Sequence, residues 1–428
     1  MPRDPALKGW ATITRRYATQ KERAASVSLS ILFLYLVNWS DERVSAAASQ
    51  ELPLMNITHI ETFPVRIPLI PARHMISALG THTESRYLLV RLGTDADIDG
   101  VGEATVLPAW SGESLWGAQA MVDRVLTPVL LGCDPHDLAT ISQRMDSATR
   151  HNWFAKSAIE MACWDIQGKA ASKPVYELLG GAVRPRSIRC RFSMGAYDPE
   201  RARARALELV AEGFDTIKVK VGGKPEADIA RVRTVRYAIG PERALTIDAN
   251  CGWDVETAIT CVNALEDCNI ALDEQPTPDG DYAGLARVRR ETKPPVMADD
   301  ICFDLCHVRE LIRNDCCDVI SVYPGKNGGI AKSRAIADFA AQYGVACSIG
   351  SNLEWDVGTA AMAQLVIATP NMQVEKYPGD MLGPVYHQVR IVKDPIDIRG
   401  PVVTIADRPG LGVEVDWQVV REHACRED

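Results

Sequence analysis

Charged residues recur at the ends of short apolar runs in the middle of this sequence. The first of these runs, Thr216-Ile-Lys-Val-Lys220, contains two lysines, and three later runs each end in an acidic residue. Such short apolar runs are typical of strands buried on both faces, so polar groups collect at the strand ends. We expect the following charged side chains to converge at one mouth of the fold: Lys218, Lys220, Asp248, Glu274 and Asp299.

The three acidic residues lie about 25 residues apart and offer hard oxygen ligands. Such ligands suit Mg²⁺, with Mn²⁺ as the alternative cation. Asn250 and Asp300 stand beside these residues and could support or replace a ligand. A lysine facing such a cation has its ammonium form disfavoured, so its pKa falls toward that of a general base. The set therefore predicts removal of the proton α to a carboxylate, with the cation stabilising the charge that develops on the carboxylate oxygens.

The elements that must position these groups form a repeat of strand and helix. Segments of helical periodicity separate the apolar runs, which indicates a parallel (β/α) barrel with its chemistry at the carboxyl ends of the strands. We predict an α/β fold in which residues 186–390 form a modified TIM barrel. The eight expected strands are Ile188–Phe192, Thr216–Lys220, Leu245–Asp248, Ile270–Asp273, Val296–Ala298, Val319–Val322, Ala346–Ile349 and Gln373–Glu375.

Residues 55–185 predict an α+β capping domain. Two strand-like runs, Ile57–Ile67 and Arg86–Leu92, are joined by a polar loop, and Ser157–Ala170 has the pattern of an amphipathic helix. Polar and aromatic loops on a rigid support suit a lid over the barrel mouth. The candidate substrate contacts in these loops are Arg73, His74 and Trp110. Residues 391–428 alternate again and are predicted to pack back on the cap.

Composition narrows the class of protein. The chain has 428 residues, 46% of them hydrophobic, and a net charge of −9, which disfavours a nucleic-acid partner because no basic stripe can neutralise phosphates. We expect a small-molecule carboxylate as the partner and no membrane association of the folded part. The 12 cysteines lack the spacing of a zinc site and fall in apolar segments. Reduced, buried cysteines and a cytoplasmic location are expected.

The first 54 residues differ in pattern from the rest. Basic residues precede an uncharged run and then a patch of small residues, which is the order of a secretory signal or an anchor. The run is too short for a clear membrane span. Because an alternating strand begins just after Met55, the preferred interpretation is an over-long gene start, with a targeting segment or a functional extension as the alternatives.

From Met55 onward the sequence resembles the enolase superfamily, in particular the muconate-lactonizing-enzyme-like group of the mandelate racemase/muconate lactonizing enzyme family. The resemblance implies a capped, modified barrel, and such proteins are often homo-oligomers. It also implies Asp248, Glu274 and Asp299 as Mg²⁺ ligands, Lys220 as the base and Lys218 as its supporting neighbour. The matching motifs are Ser157 to Lys169, Lys218-Val-Lys220, Asp248-Ala-Asn250, Asp273-Glu-Gln-Pro276, Ala298-Asp-Asp300 and Gly350-Ser-Asn-Leu-Glu354.

One position departs from the family pattern. Racemases and epimerases of the family carry a second lysine at the end of the sixth strand, where this chain has Tyr323, and Lys326 follows in the loop. A single base can remove a proton on one face, whereas racemisation needs a second acid/base on the other. A phenol retains its proton at neutral pH and can protonate a departing hydroxyl. The sequence therefore favours dehydration or cycloisomerisation over racemisation, unless Tyr323 is only a wall residue and Lys326 reaches in.

The substrate is predicted only as a class. Glu354 and Asp380 follow late strands and could contact its distal end, with Glu354 holding a cationic amine. That arrangement favours a hydroxy or hydroxy-imino acid resembling hydroxyproline, while hydroxy acids derived from sugars stay open. The alternative from another class is a catalytically silent barrel that serves as a binding protein.

Overall fold

The computed structural model describes residues 55–426, and the predicted leader-like segment lies outside them. The chain opens with an antiparallel sheet of three strands in the order β1-β4-β5 and a small hairpin, β2-β3. The strand prediction for this region is confirmed, because long alternating runs pair from Ile57 to Thr94. The strands are β1 (Ile57–Pro68), β2 (Met75–Ser77), β3 (Gly80–His82), β4 (Glu84–Thr94) and β5 (Asp99–Thr105).

A helix was predicted over Ser157–Ala170 and is confirmed within the main helix of this part of the chain, Trp153–Ala170, but its predicted amphipathic pattern is wrong. Nearly every side chain from Phe154 to Ile166 is buried, polar ones included. Glu160 accepts hydrogen bonds from the backbone N–H groups of Ile330 and Ala331, at 2.7 and 2.8 Å. The two buried carboxylates of this helix, Glu160 and Asp165, pair with backbone N–H groups of other elements, a use that periodicity does not report.

Seven parallel strands form the barrel sheet in sequential order from β7 to β13. From β8 onward, each strand begins where a helix has returned the chain to the amino-terminal edge, so all carboxyl ends lie at one mouth. A short antiparallel strand, β6 (Ser187–Arg189), precedes them. The barrel strands are β7 (Phe192–Met194), β8 (Thr216–Lys220), β9 (Ala244–Asp248), β10 (Ile270–Glu274), β11 (Val296–Ala298), β12 (Val319–Val322) and β13 (Ala346–Ile349).

Two of the eight predicted strands are corrected. The first, Ile188–Phe192, is divided, because its beginning belongs to β6 and only its end enters the barrel as β7. The eighth, Gln373–Glu375, is a turn, and the neighbouring Met372 makes a single parallel bridge to Cys347. The N–H of Gln373 donates to the Cys347 carbonyl at 2.7 Å, but the N–H groups of Lys376 and Tyr377 then donate to the Gln373 carbonyl, so the chain turns and does not extend the ladder.

Aspartate caps start four of the barrel helices. Asp198, Asp254, Asp281 and Asp304 each accept a hydrogen bond from a backbone N–H in the first turn, which is the sequence signal that begins a helix. The α-helices are Pro108–Ser111, Leu115–Met121, Thr127–Leu130, Leu138–Ala148, Trp153–Ala170, Val175–Leu178, Pro199–Ala211, Pro225–Ile239, Val255–Ala264, Tyr282–Glu291, Leu305–Arg313, Pro324–Asn327, Ile330–Ala341, Asp356–Ala368, Gly383–Tyr386 and Trp417–Glu422.

The carboxyl-terminal segment returns to the start of the described chain. Strands β14 (Asp397–Arg399) and β15 (Val402–Thr404) extend a sheet with β6, and Ala424 then bridges Val65 of β1. The ring of Trp417 packs on Phe63, with 4.8 Å between centroids. No helix within residues 55–426 is long and apolar enough to cross a membrane.

Candidate active site

Lys220 and Asp248 face each other across neighbouring strands, as their register in β8 and β9 requires. The ammonium of Lys220 donates to Asp248 Oδ2 and to Asn250 Oδ1, each at 2.6 Å. Asn250 has a left-handed backbone with φ 43°, and its own N–H donates to Asp248 Oδ1 at 3.0 Å. The turn after β9 therefore holds the aspartate and the lysine in one hydrogen-bonded group.

Lys218 connects the first two predicted ligands. Its ammonium lies 2.9 Å from Asp248 Oδ2 and 2.9 Å from Glu274 Oε1. The other oxygen of Glu274 accepts a 2.6 Å hydrogen bond from Arg191, a fully buried guanidinium immediately before β7. Two carboxylates from adjacent strands thus converge on one positive charge, and Arg191 fixes the outer face of Glu274.

Asp299 is paired with Lys326. The ammonium of Lys326 donates to Asp299 Oδ1 at 2.6 Å, to the Asp299 carbonyl at 2.8 Å and to the Ser321 carbonyl at 2.9 Å. Lys326 is completely buried and does not line the cavity. The alternative in which Lys326 reaches into the mouth is therefore wrong, because the end of β12 and the loop after β11 surround its ammonium with acceptors.

These contacts shift the ionisation of the site. Burial favours the neutral form of Asp248, but the ammonium groups of Lys218 and Lys220 outweigh it and hold the pKa of Asp248 far below its usual range. Burial and Arg191 oppose the charge of Lys218, yet Asp248 and Glu274 outweigh them and raise its pKa. For Glu274, burial is the largest influence, and together with the charge of Asp248 it raises the pKa despite Arg191.

The donor set fits a divalent cation. Within residues 55–426 no group of three acidic, histidine or cysteine side chains is arranged closely enough to hold a metal ion as it stands. Asp248 and Glu274 nevertheless share a single cation, the Lys218 ammonium, and Asp299 follows the next strand at the same mouth. Carboxylate oxygens are the ligands that Mg²⁺ prefers, so these three residues would hold it.

A cavity opens above this group. Most of the predicted polar residues line it, together with Ser193 at the end of β7 and three consecutive residues, Ser351 to Leu353, in the loop after β13. Tyr323 is 1% exposed, and its ring stacks on Trp110 with 5.7 Å between centroids and 10° between planes. The predicted site residues that line the cavity are Lys218, Lys220, Asp248, Asn250, Asp299, Tyr323, Trp110 and Asp380.

Other predicted residues do not line the cavity. Glu354 is bonded to its own loop, accepting from Ser351 Oγ at 2.7 Å and from the N–H of Asn352 at 2.9 Å. Arg73 donates to the Val385 carbonyl. His74 does not line the cavity, whereas residues of the β2-β3 hairpin that follows it do. A charged side chain that lies beside a free backbone N–H or carbonyl forms a hydrogen bond with it. The spacing of residues along the sequence does not reveal such a bond.

Asp300 holds one side chain of the cavity wall, Trp110, in place. Its Oδ1 accepts a 2.7 Å hydrogen bond from the indole N–H of Trp110, which holds the lid aromatic over the barrel. Burial and the nearby charges of Asp299 and Asp248 raise the pKa of Asp300 to about 8. This geometry favours Asp300 as a neighbour of the metal ligands and not as a ligand itself.

Sequence reasoning missed several residues that the fold brings to the site. The hairpin β2-β3 contributes Met75, Thr81 and His82 to the cavity, and Arg191 lies beneath Glu274. Thr81 and His82 stood in the polar loop expected to form the lid, but that loop has no periodic signal, and neither residue was selected as a substrate contact. The position of Arg191 directly before a barrel strand was the one available signal for that residue.

Replacing Lys326 should test whether it is structural. We expect Lys326→Met to lower the free energy of unfolding by about 3–5 kcal/mol, because Asp299 would be left buried with an uncompensated charge. Urea unfolding would measure it. Lys332→Met is the matched control, since the Lys332–Asp146 pair is half exposed and should contribute less than about 1 kcal/mol. Equal, small losses for both variants would contradict the structural role.

Comparisons with known proteins agree with this fold. The family described as "Enolase C-terminal domain-like" matches residues 201–419, and "Mandelate racemase / muconate lactonizing enzyme, N-terminal domain" matches residues 58–180. Muconate cycloisomerase 1 of Rhodococcus opacus is 32% identical over 371 residues, covering 86% of this chain and 98% of that protein.

Two solved structures extend the comparison. N-succinyl Arg/Lys racemase from Bacillus cereus superposes with a TM-score of 0.83 at 27% identity, over 87% of this chain and 99% of that one. The dipeptide epimerase from Enterococcus faecalis, complexed with Mg and the dipeptide L-Leu-L-Tyr, gives a TM-score of 0.80 at 30% identity, over 84% of this chain and 99% of that one.

The fold is a capped parallel barrel with charged residues at its strand ends, and the two family models together match nearly all of the described residues. The chain is therefore a protein of the enolase superfamily. Within that superfamily the chain belongs to the mandelate racemase/muconate lactonizing enzyme family. The sequence resemblance is thereby confirmed. The relatives are named as cycloisomerases, racemases and epimerases, which are all isomerases.

Proposed function

We propose that this chain is a Mg²⁺-dependent enzyme that removes the proton α to a carboxylate on one face and then eliminates water from the β carbon. The observation that carries the proposal is the identity of the side chain at the end of β12. Tyr323 lines the cavity there, while the nearby Lys326 is held by Asp299 and two carbonyls. Lys218 and Lys220, on β8, are therefore the two amines that line the cavity among the described residues.

Lys220 is the proposed base. It lies at the cavity surface, whereas Lys218 is shared between Asp248 and Glu274 and acts as its support. Asp248 and Asn250 each accept from the Lys220 ammonium at 2.6 Å and hold it at the cavity surface. Mg²⁺, or Mn²⁺ in its place, would supply stabilisation of the negative charge that develops on the substrate carboxylate.

Tyr323 is the proposed acid. Burial, followed by the charges of Asp299 and Glu354, raises the pKa of Tyr323 well above its ordinary value, so the phenol keeps its proton at neutral pH. In the elimination, Lys220 takes the α proton, the Cα–Cβ double bond forms and the bond from Cβ to the hydroxyl oxygen breaks. Tyr323 donates its proton to that oxygen, which leaves as water.

The proposed substrate is a hydroxy or hydroxy-imino acid resembling hydroxyproline. Glu354 was the predicted partner of a cationic amine, but its carboxylate serves its own loop. Asp380 lines the cavity and accepts one 3.1 Å hydrogen bond, from the N–H of Leu382. We therefore assign the amine to Asp380, whose remaining acceptor positions can take an N–H donor.

Cycloisomerisation is the second candidate, because muconate cycloisomerase 1 is among the relatives that match nearly their whole length. It also needs one base on one face. Racemisation or epimerisation, the reaction in the names of other relatives, needs a second acid/base opposite Lys220 that can accept the α proton as well as donate one. A protonated Tyr323 is poorly suited to that role.

The test is a panel of carboxylic acids incubated with the protein in deuterated water, with Mg²⁺ or with EDTA, and followed by NMR. We expect Mg²⁺-dependent exchange of an α proton, with retention of configuration, and loss of a β-hydroxyl from hydroxy acids. Ring closure of a muconate would support cycloisomerisation instead. Inversion of the α carbon would overturn the one-face mechanism. A silent binding protein would exchange nothing across the panel.

A further inference from the structure

A buried chain of hydrogen bonds leads from the cavity into the protein. His82, on the β2-β3 hairpin, contacts Ser85 Oγ through Nε2 at 2.9 Å. Ser85 Oγ lies 3.0 Å from Nε2 of His387, and the hydroxyl of Tyr87 lies 2.7 Å from that same nitrogen. Ser85, Tyr87 and His387 are each less than 5% exposed, so solvent cannot supply their partners.

The two ends of this chain are carbonyl groups, which can only accept. Nδ1 of His387 lies 2.7 Å from the Gly383 carbonyl, so the ring proton of a neutral His387 must be on Nδ1. Nε2 is then an acceptor. At the other end, the hydroxyl of Tyr87 donates to the Leu353 carbonyl at 2.6 Å. Tyr87 has one proton, so when it donates to Leu353 its 2.7 Å contact with His387 Nε2 carries no proton, and Ser85 provides the proton that His387 Nε2 accepts at 3.0 Å.

The direction of the chain then fixes the tautomer of His82. Once the Ser85 hydroxyl donates to His387, its oxygen is left to accept, and the Nε2 of His82 must carry the proton between them. Burial lowers the pKa of both histidines, that of His387 to about 4, which is consistent with neutral rings. Nδ1 of His82 consequently has a lone pair, and it makes no hydrogen bond to the described residues.

The opposite direction is less favourable. If Tyr87 donated to His387 and Ser85 to His82, the His82 proton would move to Nδ1, and the 3.0 Å contact between Ser85 Oγ and His387 Nε2 would have no proton. The buried carbonyl of Leu353 would then lose the Tyr87 hydroxyl, its hydrogen-bond donor among the described residues. An unpaired buried acceptor keeps its desolvation penalty without compensation, so the first direction is preferred.

We propose that His82 is a specificity-determining acceptor, held in its tautomer by Ser85 and His387, and that it selects substrates with a hydrogen-bond donor facing the hairpin. A hydroxyl or an ammonium group can donate a hydrogen bond to Nδ1. The oxygens of a second carboxylate can only accept, so they would face the lone pair of Nδ1 and be repelled. Ser85 and His387 are positioning residues, because they act through His82. This inference rests on the proposed function in taking the same cavity as the substrate site.

The tautomer can be measured directly. In the full-length protein with Mg²⁺ present, ¹⁵N NMR of histidine-labelled protein separates protonated from unprotonated ring nitrogens, and His82→Gln identifies the His82 signals. We expect a protonated Nε2 and an unprotonated Nδ1 in the wild type. Ser85→Ala should abolish that preference and give a mixture of tautomers. A protonated Nδ1 in the wild type would overturn the inference.

Ligand selection provides the second measurement, made by calorimetry with three probes of equal carbon count. The probes are 5-hydroxypentanoate and 5-aminopentanoate, each with a distal donor, and glutarate, with a distal carboxylate. We expect each donor probe to bind about tenfold more tightly than glutarate. His82→Phe should remove that preference for 5-hydroxypentanoate, while 5-aminopentanoate should keep the part of its preference that the Asp380 carboxylate provides. His151→Phe, at an exposed histidine outside the cavity, is the matched control and should retain it.

The outcomes separate this inference from the proposed function. Equal or tighter binding of glutarate to the wild type would refute the acceptor role of His82, even if α-proton exchange proceeds. Absence of exchange across the acid panel would refute the proposed reaction, while the donor preference and the His82 tautomer would still be measured as expected. A preference unchanged in His82→Phe would assign selection to another residue.

Discussion

Replacement of Lys220 by alanine should reduce α-proton exchange by a factor on the order of 10²–10⁴, the usual contribution of a positioned general base. The remaining lysine cannot substitute, because the ammonium of Lys218 is shared between Asp248 and Glu274 at 2.9 Å from each. The same contacts predict that the variant folds, since Asp248 keeps Lys218 and the N–H of Asn250 as partners. Exchange measured by NMR and unfolding followed by circular dichroism would check both expectations.

Two controls sharpen the Lys220 experiment. The cavity left by alanine should admit a small primary amine, so added ethylamine is expected to restore part of the exchange. Lys224→Ala changes an exposed lysine in the loop that follows the same strand and should exchange at the wild-type rate. If Lys220→Ala exchanged normally while remaining folded, Lys220 would not be the base, and the proposed mechanism would fail.

The Tyr323→Phe variant should separate proton removal from loss of the leaving group. Phenylalanine retains the ring that stacks on Trp110 and removes only the hydroxyl. We expect α-proton exchange at the wild-type rate, while elimination of water slows by roughly 10²–10⁴-fold because the departing hydroxyl is no longer protonated. The two rates can be read from one NMR time course in deuterated water.

The leaving group provides the matched control for Tyr323. A β-fluoro analogue of a reactive hydroxy acid expels fluoride, which needs less help from an acid, so Tyr323→Phe should slow its elimination far less. Tyr343→Phe, at a side chain that is 58% exposed, should change neither rate. If Tyr323→Phe eliminated water as fast as the wild type, Tyr323 would be a wall residue of the cavity.

Much of the fold was accessible from the sequence because its signals are local. Buried parallel strands give short apolar runs, and the aspartates before the barrel helices mark where those helices begin. The strand ends that carry Lys218, Lys220 and Asp248 were placed correctly for the same reason. The eighth strand, Gln373–Glu375, was predicted from its place in the strand–helix repeat, and the prediction failed because the N–H groups of Lys376 and Tyr377 close a turn onto the Gln373 carbonyl.

In the candidate site, local sequence signals did not predict which side chains reach the cavity. Glu354 and Asp380 were equivalent as sequence, yet one carboxylate is bound by its own loop and the other lines the cavity. Lys326 and Tyr323 are three residues apart, and only their neighbours in space decide which reaches the mouth. His82 depends on Ser85 and on His387, which lies about 300 residues further along the chain.

The sequence by itself determined the family, the strand ends that carry charge and the absence of a lysine at position 323. These are properties of residue type and spacing, which can be identified without knowledge of contacts between distant parts of the chain. The tertiary structure alone decided which charged groups are paired, which face the cavity and which nitrogen of His82 is free to bind. Those outcomes depend on hydrogen-bond partners brought together by folding, and a buried polar group takes its role from the partner it finds.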